Sequence, residues 1–207
     1  MFSLVSRFTL YIALLLAMFL VLTYMLLPRW DWAFSENGPI EWMQFTLLTS
    51  SALIFLIAAL VFTELRRIFC LLLACVLLGM SRELDKILDA ALPTFGWQII
   101  FFLFIPLVAF QFINNQQALF AQLRTFTFSP AMAVFWTAFV VIIPLAQCLG
   151  DADFLKAATG EQYMRMYKTL CEESLELYGY LLLLCGSVES IVFALNYRKN
   201  VRAQTGN

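Results

Sequence analysis

The sequence contains no histidine. That absence removes imidazole ligation of haem or zinc and every Ser-His or Cys-His catalytic pair. Charge is scarce as well: Asp, Glu, Lys and Arg make up 13% of the 207 residues, about half the roughly 25% of a soluble domain. The formal net charge of −1 offers no basic excess, which argues against nucleic acid as a partner. Internal repeats, low-complexity tracts and composition breaks are missing too. A single integral membrane domain over residues 1–207 is expected, and a transporter built from duplicated halves fits less well.

What fills the chain is apolar, 62% hydrophobic, gathered in runs near the about 20 residues that cross a hydrocarbon core. Prolines and polar clusters ("LPRWDWAFSENGP", "LPTFGW", "NNQQ" and "GDADF") separate six expected spans, at 8–27, 39–62, 67–91, 96–113, 130–149 and 174–197. The expected fold is all-α, a polytopic transmembrane bundle of six helices. Pro106 and Pro144 fall inside spans, where a kink accommodates them. The first apolar run has no small-residue cleavage site, so it reads as an uncleaved span. Arg7, Arg66, Arg67, Arg124, Arg198, Lys199 and Arg202 share one side with a single acid, Glu64. Both termini are therefore expected to be cytoplasmic. Trp30, Trp32, Trp42, Trp97, Tyr178 and Tyr180 sit near outer span ends, as an interfacial aromatic belt does.

In the third span the uninterrupted apolar run, Ile68 to Met80, is too short to cross about 30 Å at about 1.5 Å per residue. To cross, the helix continues through Arg82, Glu83, Asp85 and Lys86, which then lie in the outer part of the membrane and need to face inward and pair. Arg82, Asp85, Lys86 and Asp89 share a face by helical spacing. Glu41 and Gln44 share one in the second span, and Glu173, Glu176 and Tyr180 share one in the sixth, bordered by Glu172. The same spacings also fit a plain salt-bridged helix end, with Arg82–Asp85 and Glu83–Lys86 pairs and an acidic first turn at Glu172, Glu173 and Glu176. The inward reading makes Glu41, Gln44, Asp85, Glu173 and Glu176 acceptors, with Arg82 and Lys86 balancing charge or gripping a phosphate. Asp85, Glu173 and Glu176 are the expected metal ligands. An oxygen-only set suits magnesium, calcium or manganese.

Glu189 lies about 13 Å inside the opposite membrane boundary, counting back from Arg198 at the helical rise. Such a carboxyl is either a hydrogen-bonded core group or a proton-handling one. Cys148 and Cys171 flank the 149–170 loop on the outer side, where an oxidising compartment permits a disulfide. In that loop Glu161–Arg165 and Lys168–Glu172 have helical spacing, so the last helix is expected to begin outside the membrane.

The stretches "EWMQ", "RELD" and "EESLELYGYLLLL" resemble patterns in small polytopic proteins of bacterial inner membranes without an assigned activity. The resemblance implies that membrane and an acidic outer face. "DKILD" places Asp85 and Asp89 at the DxxxD spacing of intramembrane prenyltransferases, but the second Asp-rich motif those enzymes need is missing. The leading reading is an outer-leaflet polar site for a cation or a polar lipid head group. Two others stand beside it: a non-catalytic subunit whose charges meet another membrane protein, and a metal-dependent membrane enzyme on lipid-linked phosphates.

Overall fold

The computed structural model describes residues 3–35, 38–83, 109 and 116–205. Every regular element among the described residues is helical. The helices are α1 (Leu4–Ala33), α2 (Pro39–Val61), α3 (Arg66–Glu83), α4 (Gln116–Thr127), α5 (Pro130–Leu149), α6 (Ala152–Thr159) and α7 (Arg165–Thr205). Four of them, α1, α2, α5 and α7, are long and apolar enough to cross a membrane; they contain the expected spans at 8–27, 130–149 and 174–197, and that at 39–62 up to Val61. α3 covers the start of the third expected span. Its continuation, with Asp85, Lys86 and Asp89, lies outside the described residues. So does the expected span at 96–113 with Trp97 and Pro106, apart from residue 109.

The most apolar windows of α1 and α5 are only 17% buried, against 56% for α7. Apolar surface left open on that scale suits a hydrocarbon surrounding rather than water. The chain forms two compact units, Met1–Gln44 with Val134–Cys185 and Phe45–Ala133 with Gly186–Asn207.

In the first unit, α1 starts at Ser3, whose hydroxyl accepts from the Ser6 N–H at 3.1 Å. That bond satisfies one of the donors a helix start leaves open. Tyr11 of α1 is buried with Val134 and Cys185, and Phe8 packs on them. Both α1 and α5 contain a wide π turn, at Val21–Leu26 and Val141–Leu145. In α5 the turn holds Pro144, which has no N–H to continue the regular ladder. Beside it, α7 approaches so closely that a Cβ at Gly179 would run into the Ile142 side chain. Glycine is the residue that permits this contact.

Two expectations are corrected here. The final helix does begin early, at Arg165, and the Lys168–Glu172 pair forms at 3.6 Å. Glu161, however, sits in a separate 3-10 turn, Gly160–Gln162, so its helical spacing to Arg165 is not realised. Gly160, at φ 59°, ends α6 in a left-handed conformation and prevents a continuous helix. Second, Cys148 and Cys171 are free thiols, one exposed and the other half-buried, so no bridge joins them.

In the second unit, the carboxyl end of α2 is held by two arginines. Arg66 Nε donates to the Ala59 carbonyl at 3.0 Å, and Arg198 of α7 donates through Nη2 to the Val61 carbonyl at 2.8 Å. Cations here satisfy carbonyls that the helix leaves open and oppose the negative end of its dipole. Arg198 also lies 5.1 Å from the Phe62 ring centroid and places Nε 3.7 Å from Glu64 Oε1. Gln122 of α4 completes the corner, donating to the Glu64 carbonyl at 2.8 Å and accepting from the Ile68 N–H at 3.3 Å. Phe55, Phe62 and Phe69 pack together, as do Phe126 and Phe193.

The Glu64 carboxyl is held below its ordinary value of 4.5, chiefly by a backbone hydrogen bond, which with the Arg198 charge and side-chain hydrogen bonds outweighs the opposing desolvation. A carboxyl depressed in the folded state stabilises it above the unfolded pKa, and that contribution fades as pH falls through the folded pKa. The unfolding temperature of wild type is therefore expected to exceed that of Glu64→Gln at neutral pH. The gap should close as pH drops below about 4.5. A gap that persists unchanged at pH 3 would show that the pair is not responsible.

Candidate functional site

Gln44 lies on the first turns of α2, in the first unit, and is completely buried. Its side-chain nitrogen donates to Glu173 of α7 twice, to the carboxylate Oε2 at 2.9 Å and to the backbone carbonyl at 3.1 Å. Both partners are acceptors, which fixes the amide orientation without ambiguity. The other end of the amide, Oε1, is buried with no hydrogen-bond partner. An amide buried in an apolar helix normally has both ends bonded, because desolvating an unmet carbonyl costs about 1–3 kcal/mol.

One turn beyond Glu173 is Glu176, 7% exposed, and one further turn on is Tyr180, 3% exposed. Spacings of three and seven residues put all three on one face of α7, as their positions predict. Glu41 is half-buried one turn before Gln44. The structure thus brings together two of the expected walls, the starts of the second and sixth spans, through a direct bond between Gln44 and Glu173. Glu172, by contrast, pairs with Lys168, and its Cγ abuts Gly150 at the α5–α6 corner. Tyr180 is buried and so does not belong to the aromatic belt, whereas Trp30, Trp32 and Trp42 are exposed as a belt requires.

Of the third-span residues, Arg82 and Glu83 end α3 in the second unit and form an ion pair at 3.2 Å. Asp85, expected as a third metal ligand, lies outside the described residues, as does Lys86. Among the described residues, no three acidic or cysteine side chains gather closely enough to hold a metal ion.

The second unit carries a different buried polar set. Glu189 is 2% exposed, in the position its place in an apolar run predicts, and Ser51, Ser187 and Ser190 are fully buried. Ser190 Oγ donates to the Ser187 carbonyl at 2.7 Å, and Ser51 Oγ to that of Leu47 at 2.9 Å. The serines were not singled out from the sequence. Their only signal is hydroxyl residues within apolar runs, and local back-bonding of this kind makes them compatible with any helix interior.

A buried acceptor and buried acids on helices able to cross a membrane define a class, an all-helical chain with a polar site set into apolar surroundings. No protein-family model matches the chain, and neither the curated proteins nor the solved structures contain a match.

Proposed function

We propose that the chain is an integral membrane protein that binds a cation, or a positively charged head group, at Gln44, Glu173, Glu176 and Tyr180. It is a six-helix bundle with both termini cytoplasmic, resident in a bacterial inner membrane. The observation that carries the reading is the Gln44 amide, satisfied at its donor end and open at its acceptor end within a fully buried position. A cation or an ammonium group supplies what that oxygen lacks. The Glu176 carboxylate, 7% exposed one turn beyond Glu173, supplies the compensating charge. Carbonyl, carboxylate and phenol oxygens together favour a hard cation.

Thermal unfolding of purified protein in detergent, with and without magnesium, calcium or manganese, tests this. At a cation concentration about a hundredfold above Kd, selective binding stabilises the folded state by about 2.7 kcal/mol, or about 5–10 °C for a chain of this size. Glu176→Gln is expected to fold normally and lose that increment. A wild type unaffected by all three cations and by ammonium-headed lipid, or a Glu176→Gln variant that responds fully, would sink the reading.

A further inference from the structure

α4 has two faces. Leu119 and Phe126 are buried, Gln122 is fastened to the α2–α3 corner, and Phe126 meets Phe193 edge-on at 5.3 Å. The opposite face carries Phe120 at 57% exposure, the exposed Arg124, and Phe128 at 86%, the first residue beyond the helix. Steps of four residues align these three in one stripe. A face turned to water has no use for two aromatic rings around a lone arginine.

Gln116 and Gln117 at the start of α4 are exposed, while the two threonine hydroxyls beside the stripe bond back to the helix. Thr125 Oγ1 donates to the Ala121 carbonyl at 3.1 Å, and Thr127 Oγ1 to that of Leu123 at 2.7 Å. Two features set the level of α4. Its Gln122 holds the backbone of Glu64, just past the end of α2 at Val61, and only Phe128 and Ser129 separate it from α5 at Pro130. Both α2 and α5 are long and apolar enough to cross a membrane, so α4 lies where two such helices end. The charge at this corner is mostly basic: Arg198 meets the Val61 carbonyl and the acid Glu64, Arg66 and Arg67 open α3, and Lys199 and Arg202 follow Arg198 on α7.

We propose that α4 is an interfacial helix that docks an anionic phospholipid, with Phe120 and Phe128 in the acyl boundary and Arg124 on the head-group phosphate. Aromatic residues flanking a basic one suit that layer, and the basic surroundings select negative lipid. The inference rests on α2 and α5 being membrane spans and is independent of the Gln44 site.

The test uses full-length protein in detergent with added phosphatidylglycerol or phosphatidylcholine, followed by native mass spectrometry of retained lipid. Wild type is expected to retain phosphatidylglycerol preferentially. Arg124→Gln is expected to reduce that preference about fivefold, the weight of one basic side chain near an anionic surface. Equal retention of the two lipids by wild type, or an unchanged preference in Arg124→Gln, overturns the proposal. As a second reading, Phe128→Trp reconstituted with brominated lipid is expected to add a blue-shifted, quenched emission component. A component that emits as in water and is not quenched overturns it, including in favour of a protein partner. Retention of wild type in alkaline-washed membranes checks the spanning reading separately.

Discussion

Gly179→Ala is expected to destabilise the protein by about 1–3 kcal/mol, the range for overpacking a closed contact. An added Cβ would collide with the Ile142 Cγ1 and come within 3.3 Å of the Ile142 backbone nitrogen. The branched Ile142 side chain sits on the π turn with Pro144, so relief requires the two helices to separate. Gly79, within α3, supplies the contrast. Among the described residues, a Cβ there meets Leu48 Cδ2 at an ordinary 3.7 Å. Gly79→Ala should therefore gain up to about 1 kcal/mol from reduced backbone freedom in the unfolded chain. Opposite signs for one chemical change at two helical glycines, read as midpoints of unfolding, test the close approach. Destabilisation of similar size at both positions would contradict it. Gly179→Leu should exceed the alanine cost.

Arg198→Ala is expected to cost about 2–4 kcal/mol, summed from three contacts. The charged hydrogen bond to the Val61 carbonyl contributes about 1.5–3 kcal/mol. The contact with the Phe62 ring adds about 0.5–1 kcal/mol. The Glu64 pair adds little, because Glu64 is 40% exposed and the nearest atoms are 3.7 Å apart, and exposed pairs contribute at most about 1 kcal/mol. Helix capping therefore dominates over ion pairing. A double-mutant cycle with Glu64→Gln should return a coupling below about 1 kcal/mol. A coupling as large as the whole Arg198→Ala effect would transfer the stabilisation to the ion pair. Arg198→Lys should recover only part, since a single ammonium cannot reproduce the guanidinium's simultaneous contacts.

The parts of the fold legible in the sequence are those that depend on local pattern. Long apolar runs bounded by Pro and polar clusters place α1, α2, α5 and α7, and the 3.6-residue period aligns Glu173, Glu176 and Tyr180. Ends drift where the backbone changes pitch: α1 reaches Ala33 because its π turn and the 3-10 turn at Leu27–Arg29 take up Pro28. Burial around α7 is not legible, because a helix apolar on all sides gives no contrast between faces. Glu176 and Glu189 point in different directions by their spacing and both are buried. The bond from Gln44 to Glu173 joins positions 129 residues apart, which no local period encodes. Tyr180 belongs both to the predicted polar face and to the predicted belt, and only packing assigns it to the first.

The central claim is that the Gln44 carbonyl is kept open for a ligand, and equilibrium binding of magnesium, calcium and manganese to wild type and Gln44→Leu tests it most directly. Leucine keeps approximate size and removes the acceptor. The account predicts saturable binding of at least one cation to wild type and its loss in a Gln44→Leu variant that still unfolds cooperatively. Equal binding by the two proteins would contradict it, because the cation would then be held without the open oxygen of Gln44.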